Sequence, residues 1–213
     1  MVLSKMFIHS FIYLLLLLSF IGIVVYSQNV IKFYVIKKDF FNIIKASQFS
    51  IYDPREQQLY YRIQSKLALQ QVLELIEYPS NQVIAKLNSR WDILLYKATI
   101  SIFDSQSNQW IDGQIRQHFK LFGDKYTIEW NGESIVMETK FASFTTKFRD
   151  QNQDNILAKF RMRWFSVLGS NKYDLEIFSR QVPDSIYIFA LAAKDYNDAL
   201  TKKIRNLQEH RKN

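Results

Sequence analysis

Between Ser185 and Ala193 the sequence SIYIFALAA carries no charge and is apolar on every side of any helix drawn through it. A bilayer crossing needs roughly 20 residues, so the stretch is too short to span. A helix lying on a protein surface keeps a polar face, and this one has none. It must be enclosed by the rest of the chain. Pro183 and Asp184 supply a helix start, Pro being favoured in the first turn and Asp at the cap. Charge returns only at Lys194, Asp195 and Asp198, where such a helix leaves its enclosure. A last strand is the alternative, because Ile-Tyr-Ile-Phe has good β propensity. The run of Ala190, Ala192 and Ala193 and the continuation KDYNDALTKKIRNLQ favour the helix.

The enclosing walls are legible upstream. The segments SIYDPREQQLYYRIQSK, ELIEYPSNQVIAKLNSR, SIFDSQSNQWIDGQIRQ, TIEWNGESIVMETKF and TKFRDQNQDNILAKFRM share one shape. Each alternates apolar and polar residues, passes through a turn, and resumes a second strand-like run. The turns are DPREQ, YPSNQ, DSQSN, NG and DQNQDN, and Trp130-Asn131-Gly132-Glu133 is the clearest two-residue hairpin signal. DLEIFSRQVPDSIYIF begins in the same way but ends in the helix. Period-2 alternation puts Leu59, Tyr61 and Ile63 on one face, and likewise Ala98, Ile100 and Ile102, then Tyr126, Ile128 and Trp130, then Tyr173, Leu175 and Ile177. Counting from IKFYVIKK gives about a dozen strands, more than an open twisted sheet carries without curling or closing. A barrel of that size leaves an interior its own side chains do not fill. The fold expected is mainly β: a closed antiparallel barrel of about twelve strands around a buried C-terminal hydrophobic helix, preceded by one N-terminal transmembrane helix.

That last element is FIHSFIYLLLLLSFIGIVVY, residues 7 to 26, uncharged throughout. Twenty residues of helix span about 30 Å. A cleaved signal peptide is the alternative, but its apolar core runs about 7–15 residues. The expected organisation is an anchor over residues 1–28, a barrel domain over 29–200 with its central helix at 183–200, and a basic tail over 201–213. Lys32, Lys37, Lys38 and Lys45 follow the span while only Lys5 precedes it, which favours a cytosolic barrel domain in a single-pass membrane protein.

The formal net charge of +8 calls for an anionic partner. The chain has no cysteine, so thiolate and disulfide chemistry are excluded. Its three histidines, His9, His118 and His210, are scattered, and no metal-ligand spacing, Gly-rich phosphate loop or nucleophile elbow is present. No cofactor and no enzymatic activity are expected. Asp104 and Asp112 read as turn formers. The candidate surface is basic: in TTKFRDQNQDNILAKFRMRWF, Lys147, Arg149, Lys159, Arg161 and Arg163 alternate with Phe148, Phe160, Met162 and Trp164. Paired as a hairpin, the two runs place all five cations on the outer face. Like charges opposed across strands repel unless an anion lies between them. The other reading of this face is a solvated one, its cations paired to Asp150, Asp154 and Glu138. Nucleic acid is disfavoured, because the interleaved aromatics face inward and offer no stacking platform.

The order FYVIKKDFF, SQFSIYDPREQQLYYRI, WDILLYKATISIFDSQSNQWIDGQIRQ, FGDKYTIEWNGESIVMETK, FSVLGSNKYDLEIF and SIYIFALAAKDYND resembles the LURP-one-related proteins. These belong to the tubby C-terminal-like superfamily with the phospholipid scramblases. The resemblance implies a twelve-strand barrel around a C-terminal hydrophobic helix. The basic face and the anchor point to a non-enzymatic domain that binds or senses anionic phospholipid, and the resemblance to tubby-type domains implies phosphoinositide. Scramblase-like lipid movement and a membrane-tethered protein-interaction scaffold stay open beside it, as does a protein partner for the barrel.

Overall fold

In the computed structural model, residues 29–39, 48–66, 71–90, 95–163 and 172–210 are described. The expected anchor at residues 7–26 lies outside them, and no helix among the described residues is long and apolar enough to cross a membrane.

Twelve strands follow one another: β1 Lys32–Asp39, β2 Gln48–Tyr52, β3 Leu59–Lys66, β4 Val72–Glu77, β5 Gln82–Arg90, β6 Lys97–Asp104, β7 Gln109–His118, β8 Asp124–Trp130, β9 Glu133–Thr139, β10 Thr145–Asp150, β11 Ile156–Met162 and β12 Lys172–Ile177. Each pairs antiparallel with its neighbours in sequence, and β1 pairs with β12 to close the barrel. The expected barrel is thus present. Its hairpin turns follow local chemistry. The Asp53 carboxylate accepts the amides of Gln57 and Gln58 at 2.6 and 2.7 Å, and Asp150 takes those of Asn152 and Gln153 at 2.7 and 2.9 Å. Asn131 and Gly132 both have positive φ, 48° and 81°, which lets a two-residue loop match the strand twist. Asp104 is a turn former, accepting from Gln106 and Ser107. Asp112 is not: it stands within β7 and accepts the Ser101 hydroxyl from β6.

The helix α1, Asp184–His210, fills the barrel. From Ser185 to Ala193 every residue is buried. Burial in the walls alternates instead: Ala98, Ile100 and Ile102 face in, as do Tyr126, Ile128 and Trp130, and Tyr173, Leu175 and Ile177. Phe148 from β10 stands edge-on to Tyr187 of α1 at 5.0 Å between ring centres. Polar clamps fix the helix at both mouths. At the lower mouth, where it enters, Asp184 accepts from Lys32 at 2.7 Å and from the Tyr34 hydroxyl at 2.6 Å. Its carboxylate therefore ties the helix to β1, where the sequence suggests a cap. At the upper mouth, where the helix leaves, Lys38 meets Asp195 at 2.8 Å and Lys194 meets Asp124 at 2.7 Å. The helix continues to His210, and its residues 201–206 and 208–210 are exposed.

Candidate functional site

Strands β10 and β11 form the expected hairpin, with Lys147 directly opposite Lys159 and Thr145 opposite Arg161. Phe148 and Phe160 turn inward and are buried, so the cations between them face out. A bulge after Phe148 sets Arg149 opposite Ile156 and starts the turn that holds Asp154. Arg163 sits just past the end of β11, and Trp164 lies outside the described residues.

The register builds a row of charge across five strands. Lys125 of β8 opposes Glu138 of β9, Glu138 opposes Lys147, Lys147 opposes Lys159, and Lys159 opposes Glu176 of β12. Opposite charges alternate along this row except at one step, Lys147 against Lys159. Glu138 is taken from outside the row by Lys120, which holds its carboxyl below the usual range, while Glu176 binds its row neighbour Lys159 at 2.8 Å. Arg149 is tied to Asp154 at 2.9 Å. Arg163 reaches Asp174 at 2.6 Å and Glu56 at 3.0 Å, and both carboxylates stabilise its charge. Asp174 is the cross-strand partner of Arg161 but turns to Arg163. Three of the five candidate cations thus have carboxylate partners. Asp154 is the one expected partner that takes a candidate cation. The others are Glu176, Asp174 and Glu56, while Asp150 binds turn amides and Gln181. Lys147 and Arg161 have no carboxylate partner among the described residues.

Glu56 is the centre of a second cluster, on the loop between β2 and β3. It binds Lys37 at 2.8 Å and Lys172 at 2.9 Å in addition to Arg163. Those ammonium groups pull its carboxyl from 4.5 down to about 2.

Two clefts open at the mouths. The lower, about 690 Å³, is bordered by Lys32, Arg180, Asp104, Trp130 and the first turn of α1. The upper, about 260 Å³, lies between β9–β11 and the helix at Leu191–Asp198. No group of three His, Asp or Glu side chains suited to holding a metal is present among the described residues.

The loops at the upper mouth carry an apolar surface that strand alternation does not reveal. Residues 119–123 join β7 to β8 and residues 140–144 join β9 to β10, and between them they expose Phe119, Leu121, Phe122, Phe141 and Phe144. Their signal was available in FKLFG and KFASF, where large apolar residues fall at positions that must be loop. Comparison with family models, with curated proteins and with solved structures found no match to the chain.

Proposed function

We propose that this is a membrane-anchored, non-enzymatic tubby-like domain that binds or senses anionic phospholipid, phosphoinositide included, through its basic outer face. In this reading residues 7–26 hold the chain in the membrane with the barrel in the cytosol. The supporting observation is the single like-charge step in an otherwise alternating row. Lys147 faces Lys159 across the ladder, with Arg161 beside them, and neither Lys147 nor Arg161 is neutralised by a carboxylate. A phosphate seated there removes the repulsion that opposed like charges carry, and guanidinium and ammonium groups both bind phosphate oxygens well. The twelve-strand barrel with an enclosed helix is the architecture that the tubby-like resemblance implies, and it supports that assignment.

Titration of a soluble inositol phosphate headgroup into the full chain in neutral detergent micelles tests this directly by calorimetry. Binding is expected, and it is expected to be lost in Lys147→Glu/Arg161→Glu with thermal stability retained. Absence of heat at any headgroup concentration, or undiminished binding by the variant, rejects the assignment. The pairing of Arg149, Lys159 and Arg163 with carboxylates favours a second reading, a tethered protein-interaction scaffold. Contact driven by exposed charge weakens steeply with salt, whereas docking on an already neutralised surface does not. Scramblase-like activity is separated by movement of a dye-labelled lipid in proteoliposomes above that in empty vesicles.

A further inference from the structure

Among the described residues, five of the nine large apolar side chains exposed to solvent gather at one place, the two loops beside the upper mouth. Phe119 is 81% exposed, Leu121 76% and Phe141 73%. Phe122 and Phe141 meet edge-on across the gap between the loops, 5.7 Å between ring centres, so the two loops present one surface. The bases of the loops are fitted to each other. Gly123 has φ +83°, and a Cβ there would fall 2.2 Å from the Thr139 carbonyl oxygen at the end of β9. The backbone is thus drawn close where no side chain is tolerated. Apolar residues this exposed are not core packing, and a contiguous apolar set on a soluble face marks an interaction surface.

Charge around the tips says what kind. Asp124 is occupied by Lys194 and Glu138 by Lys120. Lys125, Lys140, Lys147 and Arg161 flank the tips or stand on the adjoining wall, without carboxylate partners among the described residues. Aromatic tips ringed by unneutralised cations match an anionic bilayer, where the rings enter the headgroup and acyl boundary and the cations meet lipid phosphates. Phe119, Leu121 and Phe141 stand out into solvent, unlike the walls of a groove that would half-cover a peptide, whereas Phe144 borders the upper cleft.

We propose that residues 119–123 and 140–144 form a bilayer-insertion surface, with Phe119, Leu121, Phe122 and Phe141 entering an anionic membrane. The helix sets the angle of approach. It runs on about 22 Å beyond Asp195 at the same mouth, so contact down the barrel axis is blocked. The barrel meets lipid obliquely, with the β8–β11 wall turned to the headgroups. This inference rests on the proposed lipid-binding function for its choice of an anionic surface, and it adds the apolar insertion that no headgroup site requires.

The absence of cysteine makes a site-specific test direct. The full chain carrying Phe141→Cys, or Gln106→Cys in the turn at the lower mouth, is labelled with a polarity-sensitive fluorophore. It is then reconstituted in vesicles of neutral or of acidic phospholipid, with or without brominated acyl chains. The label at 141 is expected to shift blue and lose most of its emission to brominated chains in acidic vesicles, and much less in neutral ones. The label at 106 is expected to stay in water. Adding Phe119→Ser/Phe122→Ser is expected to abolish most of the quenching at 141. No quenching at 141 in any vesicle overturns the proposal, and so does equal quenching at 106. A blue shift that grows with protein concentration without quenching also overturns it, assigning the surface to a second copy of the chain. Equal quenching in neutral and acidic vesicles keeps the insertion surface and rejects the anionic-lipid function instead.

Discussion

Tyr187 carries a fully buried hydroxyl that makes no hydrogen bond among the described residues. In the unfolded chain water satisfies that group, and folding strips the water away with no replacement. Burial, and next the Asp184 carboxylate, push its phenol further above its ordinary range, so it stays neutral inside the barrel. The ring itself is well used against Phe148. Tyr187→Phe keeps the ring and removes the stranded oxygen, and it is expected to stabilise the fold by about 1 kcal/mol. Chemical denaturation of the two proteins side by side checks this. A loss of stability in the Phe variant means that the hydroxyl has a partner.

At the scale of elements, the β2–β3 loop acts as an outer latch, because Glu56 gathers Lys37 from β1, Lys172 from β12 and Arg163 beyond β11. It thereby straddles the β1–β12 pairing that closes the barrel. The carboxyl of Glu56 titrates lower in the folded chain, at about 2 in place of 4.5, so its stabilisation is complete above about pH 4.5 and is lost as pH falls toward 2. Glu56→Gln is expected to lower the unfolding midpoint at neutral pH, with the gap to wild type closing as pH falls through that window. Thermal unfolding across the pH series measures it, and a gap that does not narrow between pH 4.5 and pH 2 refutes the latch. The latch was invisible in sequence, since Glu56 lies in a turn and its three partners lie 19, 107 and 116 residues away. The strands and the plug were legible because period-2 alternation and an uncharged run are local signals. The hairpin carrying Lys147 and Lys159 was legible for the same reason. Which of its cations keep a carboxylate was not, because Glu176, Asp174 and Glu56 arrive from other strands and loops.

At the scale of the whole molecule, a closed barrel leaves no free sheet edge, and its interior is occupied by α1. The outer wall and the two mouths are the surfaces this leaves open to contact. Lys147 and Arg161 on β10–β11, which have no carboxylate partner among the described residues, and the aromatic loops lie on the same side of the barrel near the upper mouth. Under the proposed lipid-binding function they are the two signals, apolar insertion and charge, that stable membrane attachment requires. Amide hydrogen exchange of the full chain in neutral membranes, before and after addition of acidic phospholipid, tests this account most directly. Slower exchange confined to residues 119–123, 140–147 and 159–163 is predicted, with the lower-mouth turns unchanged. Unaltered exchange in those segments, or protection that appears at the lower mouth instead, contradicts it.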